Sequence, residues 1–209
     1  MTARARSRAR KGDGDLLADQ ILDAAEALLV ERGSVEAVSI REVARRVGVT
    51  SPAIYLHFAD KEDLFYQCCR RGFANLASRM EAVRGEGSSL DQLRRLGRAY
   101  VEFGLKKGSQ YRVIFGGVPP HPAHSDDPGD LPGVRAFEIL LETVGSGIAA
   151  GEFRDDLDPV ALAVAVWSAV HGAVLILLSK DATHDAVPIP DSAAVVDAVL
   201  GVVGSGVRS

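Results

Sequence analysis

Cysteine is nearly absent from this 209-residue chain: there are two, Cys68 and Cys69, side by side. Neighbours on a helix point about 100° apart, which does not suit a disulfide, so a disulfide-stapled scaffold is excluded. Reduced, buried thiols in a cytoplasmic setting are the expectation; a redox-sensing pair is the other reading. The N-terminus is basic but has no apolar core behind it, so it does not read as a signal peptide. HExxH spacing, a nucleophile elbow and a phosphate-cradling glycine loop are all missing. With them goes the sequence warrant for an enzyme, a metal or a cofactor. No convincing strand run or internal repeat appears, which leaves an all-α fold. Neither sign of charge dominates: 24 Lys and Arg against 28 Asp and Glu give a net −4, by itself a weak argument against nucleic acid.

One apolar run stands out, Val160 to Leu178, broken only by Ser168, His171 and Gly172. About twenty such residues are enough to cross a bilayer. This run, however, comes after Asp155, Asp156 and Asp158 and carries Trp167 and His171 at mid-length rather than at its ends. A helix apolar all round is equally expected when it is buried between its own domain and a partner subunit. No membrane partner is expected.

The distribution of charge says more than the total. Residues 1–62 carry 10 basic and 10 acidic side chains, and residues 63–209 carry 14 and 18. Arg4, Arg6, Arg8, Arg10 and Lys11 lead the chain with no acid among them. An acidic body behind a basic arm fits DNA contact confined to one end.

That end holds the most informative stretch, SIREVARRVGVTSPAIYLHFADKEDL from Ser39 to Leu64. Ile40, Val43, Ala44 and Val47 recur at i, i+3, i+4 and i+7, the buried stripe of a short amphipathic helix. Ser39 and Glu42 have the spacing of a capping box, and Gly48 supplies a residue able to take positive φ at the helix end. Ser51 or Thr50 caps the next helix, Pro52 suits its first turn, and Ile54 and Phe58 give it an i, i+4 apolar face. Two short helices about a glycine turn make a helix-turn-helix, whose second helix fits a DNA major groove. Thr50, Ser51, Pro52 and Ala53, early in that helix, are the expected base readers. Their side chains are small, so hydroxyl contacts, thymine-methyl contacts from Ala53 or Leu56, and DNA shape carry the discrimination. Ser39 offers a donor at a helix N-terminus that favours phosphate. Arg41, Arg45 and Arg46 face either the DNA backbone or solvent, and the arm is either a minor-groove element or a solubility tail.

Gly48-Val49-Thr50 and then Ala53-Ile54-Tyr55-x-His57-Phe58-x-x-Lys61-x-x-Leu64 resembles the DNA-binding signature of TetR-type one-component repressors, over roughly fifty residues. The resemblance implies phosphate contacts from Tyr55, His57 and Lys61, with core packing as the alternative for Tyr55 and Phe58. It departs at Gly33-Ser34-Val35, where many members carry an aromatic after the glycine. It also implies a dimer in which helices 8 and 9 pair as a four-helix bundle on two DNA half-sites.

The expected division is a flexible basic arm (1–14), a three-helix DNA-binding head (15–62) and a regulatory, ligand-binding and dimerisation body (63–209). A long helix 4 opening at Asp60 joins head to body. Helix 1 is expected over Leu16 to Arg32, with Ile21, Ala25, Leu28 and Leu29 inward, and helix 4 turns Leu64, Phe65, Phe73, Leu76 and Met80 inward. Helices 5 to 9 begin at about Leu90, Ser109, Val134, Pro159 and Ser192, about nine helices in all. Residues 118–133, rich in Pro, Gly and Asp, form a loop between helices 6 and 7. Helix 9 presents an apolar stripe of Val195, Val196, Val199, Leu200 and Val203 for pairing with helix 8.

The body also holds most of the aromatics. Tyr100, Phe103, Tyr111, Phe115, Phe137 and Trp167, with His171 four residues beyond Trp167, are the candidate lining of a small-molecule site, and core packing is the alternative for each one. Trp167-x-x-x-His171-Gly172 resembles a signature found on helix 8 in a subgroup of these repressors. The expected function is therefore a DNA-binding repressor released by an inducer. An architectural DNA binder without a ligand is the main alternative. An enzyme built on His121, His124, Asp126 and Asp127 is the remote one.

Overall fold

A computed structural model describes residues 13–116, 131, 133–179 and 190–208. Residues 1–12 of the arm and most of the 118–133 segment, with His121, His124, Asp126 and Asp127, lie outside them. The described residues form nine α-helices: α1 (Asp13–Arg32), α2 (Ile40–Val47), α3 (Ser51–Ile54), α4 (Lys61–Ala82), α5 (Ser89–Lys106), α6 (Gly108–Ile114), α7 (Val134–Ala149), α8 (Pro159–Leu178) and α9 (Ser192–Gly206). They contain no strand, only an isolated antiparallel bridge between Phe153 and Arg208. The described chain divides into two compact units, a head of residues 13–69 with 112–116 and a body made of the remainder.

The head is built largely from local signals. Ser39 Oγ accepts from the Glu42 amide at 3.2 Å while the Glu42 carboxylate accepts from the Ser39 amide at 3.1 Å, a complete capping box on α2. Gly48 ends that helix in the left-handed region at φ 83°, and the Gly48 and Val49 amides both reach the Ala44 carbonyl at 2.9 Å. The apolar stripe of α2 then faces Ile21, Ala25 and Leu28 of α1 and Leu64 and Phe65 of α4 in one buried cluster. Val35 packs against the same cluster, so the missing aromatic after Gly33 leaves the α1 junction intact. Two ion pairs lie over the surface of α1 and α2, Arg32–Glu42 at 2.7 Å and Arg46–Glu31 at 2.6 Å. Their exposure makes each worth little in stability.

Asp60 caps α4 as expected, its Oδ1 accepting from the Asp63 amide at 2.7 Å. Leu64, Phe65, Leu76 and Met80 are buried as expected, whereas Phe73 is only half-buried. Cys68 and Cys69 form no disulfide; the Cys68 thiol reaches the Leu22 carbonyl at 3.8 Å, and burial pushes the Cys69 thiol up to about 11. A thiol held protonated and buried is a poor redox sensor.

In the body, α5 packs against α7, α8 and α9. Gly97 and Gly104, one heptad apart on α5, allow this approach: a Cβ at Gly97 would run into Leu200, and one at Gly104 into Val174. Surface charges join the end of α4 to α7, with Arg84–Glu142 at 2.6 Å, Arg135–Glu142 at 2.9 Å and Arg135–Glu81 at 3.2 Å.

α8 is the described helix long and apolar enough to cross a membrane. One of its faces, Leu162, Val166, Val170, Val174 and Leu177, is buried within the body, and the other leaves Val160, Val164, Leu175 and Ile176 exposed. α9 departs from expectation. Its anticipated interface stripe turns inward, with Val196 and Leu200 buried and Val195, Val199 and Val203 half-buried; the outward face is Ala198, Gly201 and Val202. A stripe of that width satisfies the body's own core first, so the sequence pattern reports intrachain burial and not the outer surface.

Candidate functional site

The turn from Gly48 leads to a shorter element than the sequence suggests. α3 is a single turn, Ser51–Ile54, and the His57 amide folds back to the Ile54 carbonyl at 2.9 Å, tightening residues 55–57. Thr50 occupies the N-cap with extended backbone but makes no side-chain cap, and Pro52 stands in the first turn. The missing cap weakens the start of the helix, whereas Pro52 suits its first turn. Its geometry is held from below, because Ile54 is 0% and Phe58 5% exposed in the head core.

That anchoring determines what points outward. Tyr55 is 52% and Leu56 84% exposed, a large aromatic and a large aliphatic side chain presented side by side. Thr50 and Pro52 are exposed, Ser51, Ala53 and His57 half-buried. Core packing is thus the role of Phe58 and not of Tyr55. Lys61 is half-buried, its Nζ donating to the Glu36 carbonyl at 3.4 Å. Ser39 is exposed, but its hydroxyl is engaged with Glu42 in the capping box. Of the three α2 arginines, Arg46 is paired with Glu31, whereas Arg41 and Arg45 are exposed on one helix face, i and i+4.

The body brings together five of the seven expected ligand residues. His171 Nδ1 lies 2.6 Å from Tyr111 Oη and 2.8 Å from Tyr100 Oη, and the two phenol oxygens are 3.2 Å apart. Trp167 Nε1 donates to Tyr100 Oη at 3.0 Å. Phe137 meets Trp167 edge-on, with centroids 6.2 Å apart. Tyr100 and Tyr111 are buried, at 5% and 0% exposure, while Phe137, Trp167 and His171 are half-buried. Burial drives the Tyr100 phenol up to about 12 and the Tyr111 phenol up further, and it lowers the proton affinity of His171. Phe103 is wholly buried, and Phe115 falls in the head unit. What the sequence did not disclose is the polar linkage. Tyr100 and Tyr111 sit on different helices, and the Lys107 break between α5 and α6 hides their common face.

A cleft of about 550 Å³ also lies in the head, with Leu29, Val35 and Phe65 as apolar lining and Glu36, Glu62 and Arg112 as charged lining. It includes none of the expected ligand residues.

A capped helix, a glycine turn and an outward-facing short helix on a three-helix core define a helix-turn-helix DNA-binding protein. Residues 21–68 match the description "Bacterial regulatory proteins, tetR family", and residues 93–203 match "Tetracyclin repressor-like, C-terminal domain". The chain belongs to the TetR family of transcriptional regulators and is not an enzyme. It is 34% identical over 97 residues to the HTH-type transcriptional activator FasR of Mycolicibacterium smegmatis, a match covering 46% of this chain and 44% of FasR. It is 26% identical over 147 residues to the HTH-type transcriptional repressor KstR2 of Mycobacterium tuberculosis, covering 66% of this chain and 70% of that protein. The fold is shared with the transcriptional regulator FadR from Bacillus subtilis, solved in complex with stearoyl-CoA. TM-score is 0.72 and identity 19%, over 91% of this chain and 99% of that one. Regulators of this family bind operator DNA, typically as dimers.

Proposed function

We propose that this chain is a cytoplasmic, dimeric repressor that leaves its operator when a small-molecule inducer occupies the body. The observation that carries the DNA half of the reading is the exposed Tyr55–Leu56 pair, set between buried Ile54 and Phe58. A large aromatic and a large aliphatic side chain held in solvent by a rigid support suit a partner surface. Thr50, Ser51, Pro52 and Ala53 lie at the start of the element that enters the major groove, and Leu56 suits a thymine methyl. Tyr55, His57 and Lys61 supply donors for phosphate. Ser39 sits at the α2 N-terminus. Arg41 and Arg45 add two cations on the neighbouring helix, which favours the backbone-facing reading for them. The 1–14 arm, 15–62 head and 63–209 body divide these tasks.

One such head covers few base pairs, so a two-fold partner is required for tight binding. The uncharged outer face of α8 (Val160, Val164, Leu175, Ile176) together with Val202 of α9 is the surface assigned to that partner. The polar-aromatic cluster around Trp167 and His171 is assigned to the inducer. An inducer releases DNA only by binding the DNA-incompetent state more tightly.

The test begins with selection of an operator from a random-sequence duplex pool by the full chain. Enrichment of a two-fold symmetric site is the expected result; failure to enrich any sequence removes the specific-regulator reading. Calorimetry of an inducer with and without that operator then examines release. Equal affinity in the two conditions rules the release mechanism out.

A further inference from the structure

Residues 49–59, from the turn to the end of the groove-facing element, contain no Arg, Lys, Asn, Gln, Asp or Glu. Those are the side chains that grip a guanine, adenine or cytosine edge through directed hydrogen bonds. Apolar atoms take their place on the outward surface. Pro52 is exposed and Ala53 half-buried, and Leu56, at 84%, is the most exposed large hydrophobic among the described residues. A single exposed leucine is ordinary on a protein surface. This one is fixed in a tightened turn, where the His57 and Phe58 amides both donate to the Ile54 carbonyl, at 2.9 and 3.1 Å. Ile54 and Phe58, buried on either side, hold that turn in place. Leu56 therefore has little backbone ordering left to undergo when it meets a partner.

In the major groove the 5-methyl of thymine is the one apolar feature that a base pair displays. We propose that Leu56 reads the operator through pyrimidine 5-methyl groups, so that 5-methylcytosine is accepted where thymine stands and a methyl-free pyrimidine is held less well. This assignment rests on the reading of the head as a sequence-specific operator binder. A leucine side chain has no polar atom, so it does not tell the O4 acceptor of thymine from the N4 donor of cytosine. Thymine and 5-methylcytosine carry the methyl on the same ring carbon, and van der Waals contact with it is the same for each. With Tyr55, His57 and Lys61 assigned to phosphate, which fixes register without carrying sequence, discrimination falls to Leu56 and the small side chains before it. A cytosine methylated in place thus gains a contact that the unmodified base lacks.

The full-length protein first selects its site from a random duplex pool, and thymines enriched in both half-sites mark the candidate contacts. Duplexes then carry thymine, deoxyuridine, 5-methylcytosine or cytosine at each such pair of positions in turn, always opposite the matching purine. Gel-shift titration compares the methylated with the methyl-free base inside each pairing type. At the positions Leu56 touches, losing the methyl is expected to weaken binding about fourfold per half-site, about fifteenfold for two, in both comparisons. Leu56→Ala, whose melting temperature is unchanged because the side chain already lies in water, brings both ratios below about twofold. Equal binding of thymine and deoxyuridine at every position overturns the methyl reading. A methyl effect that survives Leu56→Ala overturns the assignment to Leu56, and one confined to thymine overturns the exchange with 5-methylcytosine. An enriched site without thymine overturns the inference and leaves the regulator reading standing, whereas a pool that enriches no site overturns both.

Discussion

Tyr55 owes its outward position to its neighbours: Ile54 and Phe58 are locked into the head core, and Tyr55 and Leu56 between them turn to solvent. Tyr55→Ala is therefore expected to leave stability within about 0.5 kcal/mol while weakening operator binding by about 1–3 kcal/mol. Gel-shift titration beside thermal melting separates the two, and unchanged affinity would return Tyr55 to a packing role. His171 gives a second prediction at this scale. Burial lowers its proton affinity below the ordinary 6.5, so the neutral ring's contribution to stability is complete above that pH and lost as pH falls through the lowered value. The melting temperature should drop on acidification from pH 7.5 to about 5, above the carboxylate range, and drop less in His171→Gln. A parallel decline in both proteins would show that the ring is not the titrating group. Residues tied to local periodicity were legible in the sequence: Ile54, Phe58, Ser39, Glu42 and Gly48 each come from spacing alone. The Tyr100–Tyr111–His171 contact was not, because it joins three helices and depends on how α5 and α8 come together.

At the scale of the element, local chemistry decided boundaries well where a cap was present and less well where it was not. The α2 capping box and the Asp158 cap of α8, whose Oδ1 accepts from the Val160 and Ala161 amides at 2.9 Å, set helix starts that the sequence could anticipate. α3 is shorter than its apolar pattern suggested. A pattern of i, i+4 burial is satisfied equally by one helical turn and a tightened turn after it, so periodicity could not separate the two. The close approach of α5 to α8 depends on Gly104, where an added methyl would meet Val174 and lie 3.2 Å from the Tyr111 ring. Gly104→Ala is expected to destabilise the chain by about 1–3 kcal/mol through overpacking. Because the Tyr111 ring is crowded too, Trp167 emission should shift in the folded mutant. Chemical denaturation and emission spectra check both, and an unaltered denaturation midpoint would show that the helices separate at no cost.

For the molecule as a whole, the missing information lies on the outside. Chain composition pointed to a nearly neutral head and an acidic body, and the apolar run of α8 was legible as a helix, buried here along one face. Which α9 residues face outward was not, since Val196 and Leu200 are as apolar as Val202 and only packing separates them. Ile176, 52% exposed on the uncharged face of α8, is the place to test the partner. Ile176→Asp is expected to convert a dimer to monomers in sedimentation velocity while leaving helicity unchanged, since one side of the residue is already in water. Operator affinity should fall with it, by far more than Tyr55→Ala produces, because two half-sites are lost as a unit. A dimer that survives the substitution would move the interface elsewhere.

The Gly104–Val174 contact has a consequence for descent as well as for stability. Neither position is free to drift alone: a larger residue on one helix demands a smaller one opposite, or the two phenols lose their shared nitrogen. Among proteins descended from the same ancestor, these two sites should therefore change together, and a lineage that altered both could acquire a differently shaped recess in one step without touching the groove-reading end.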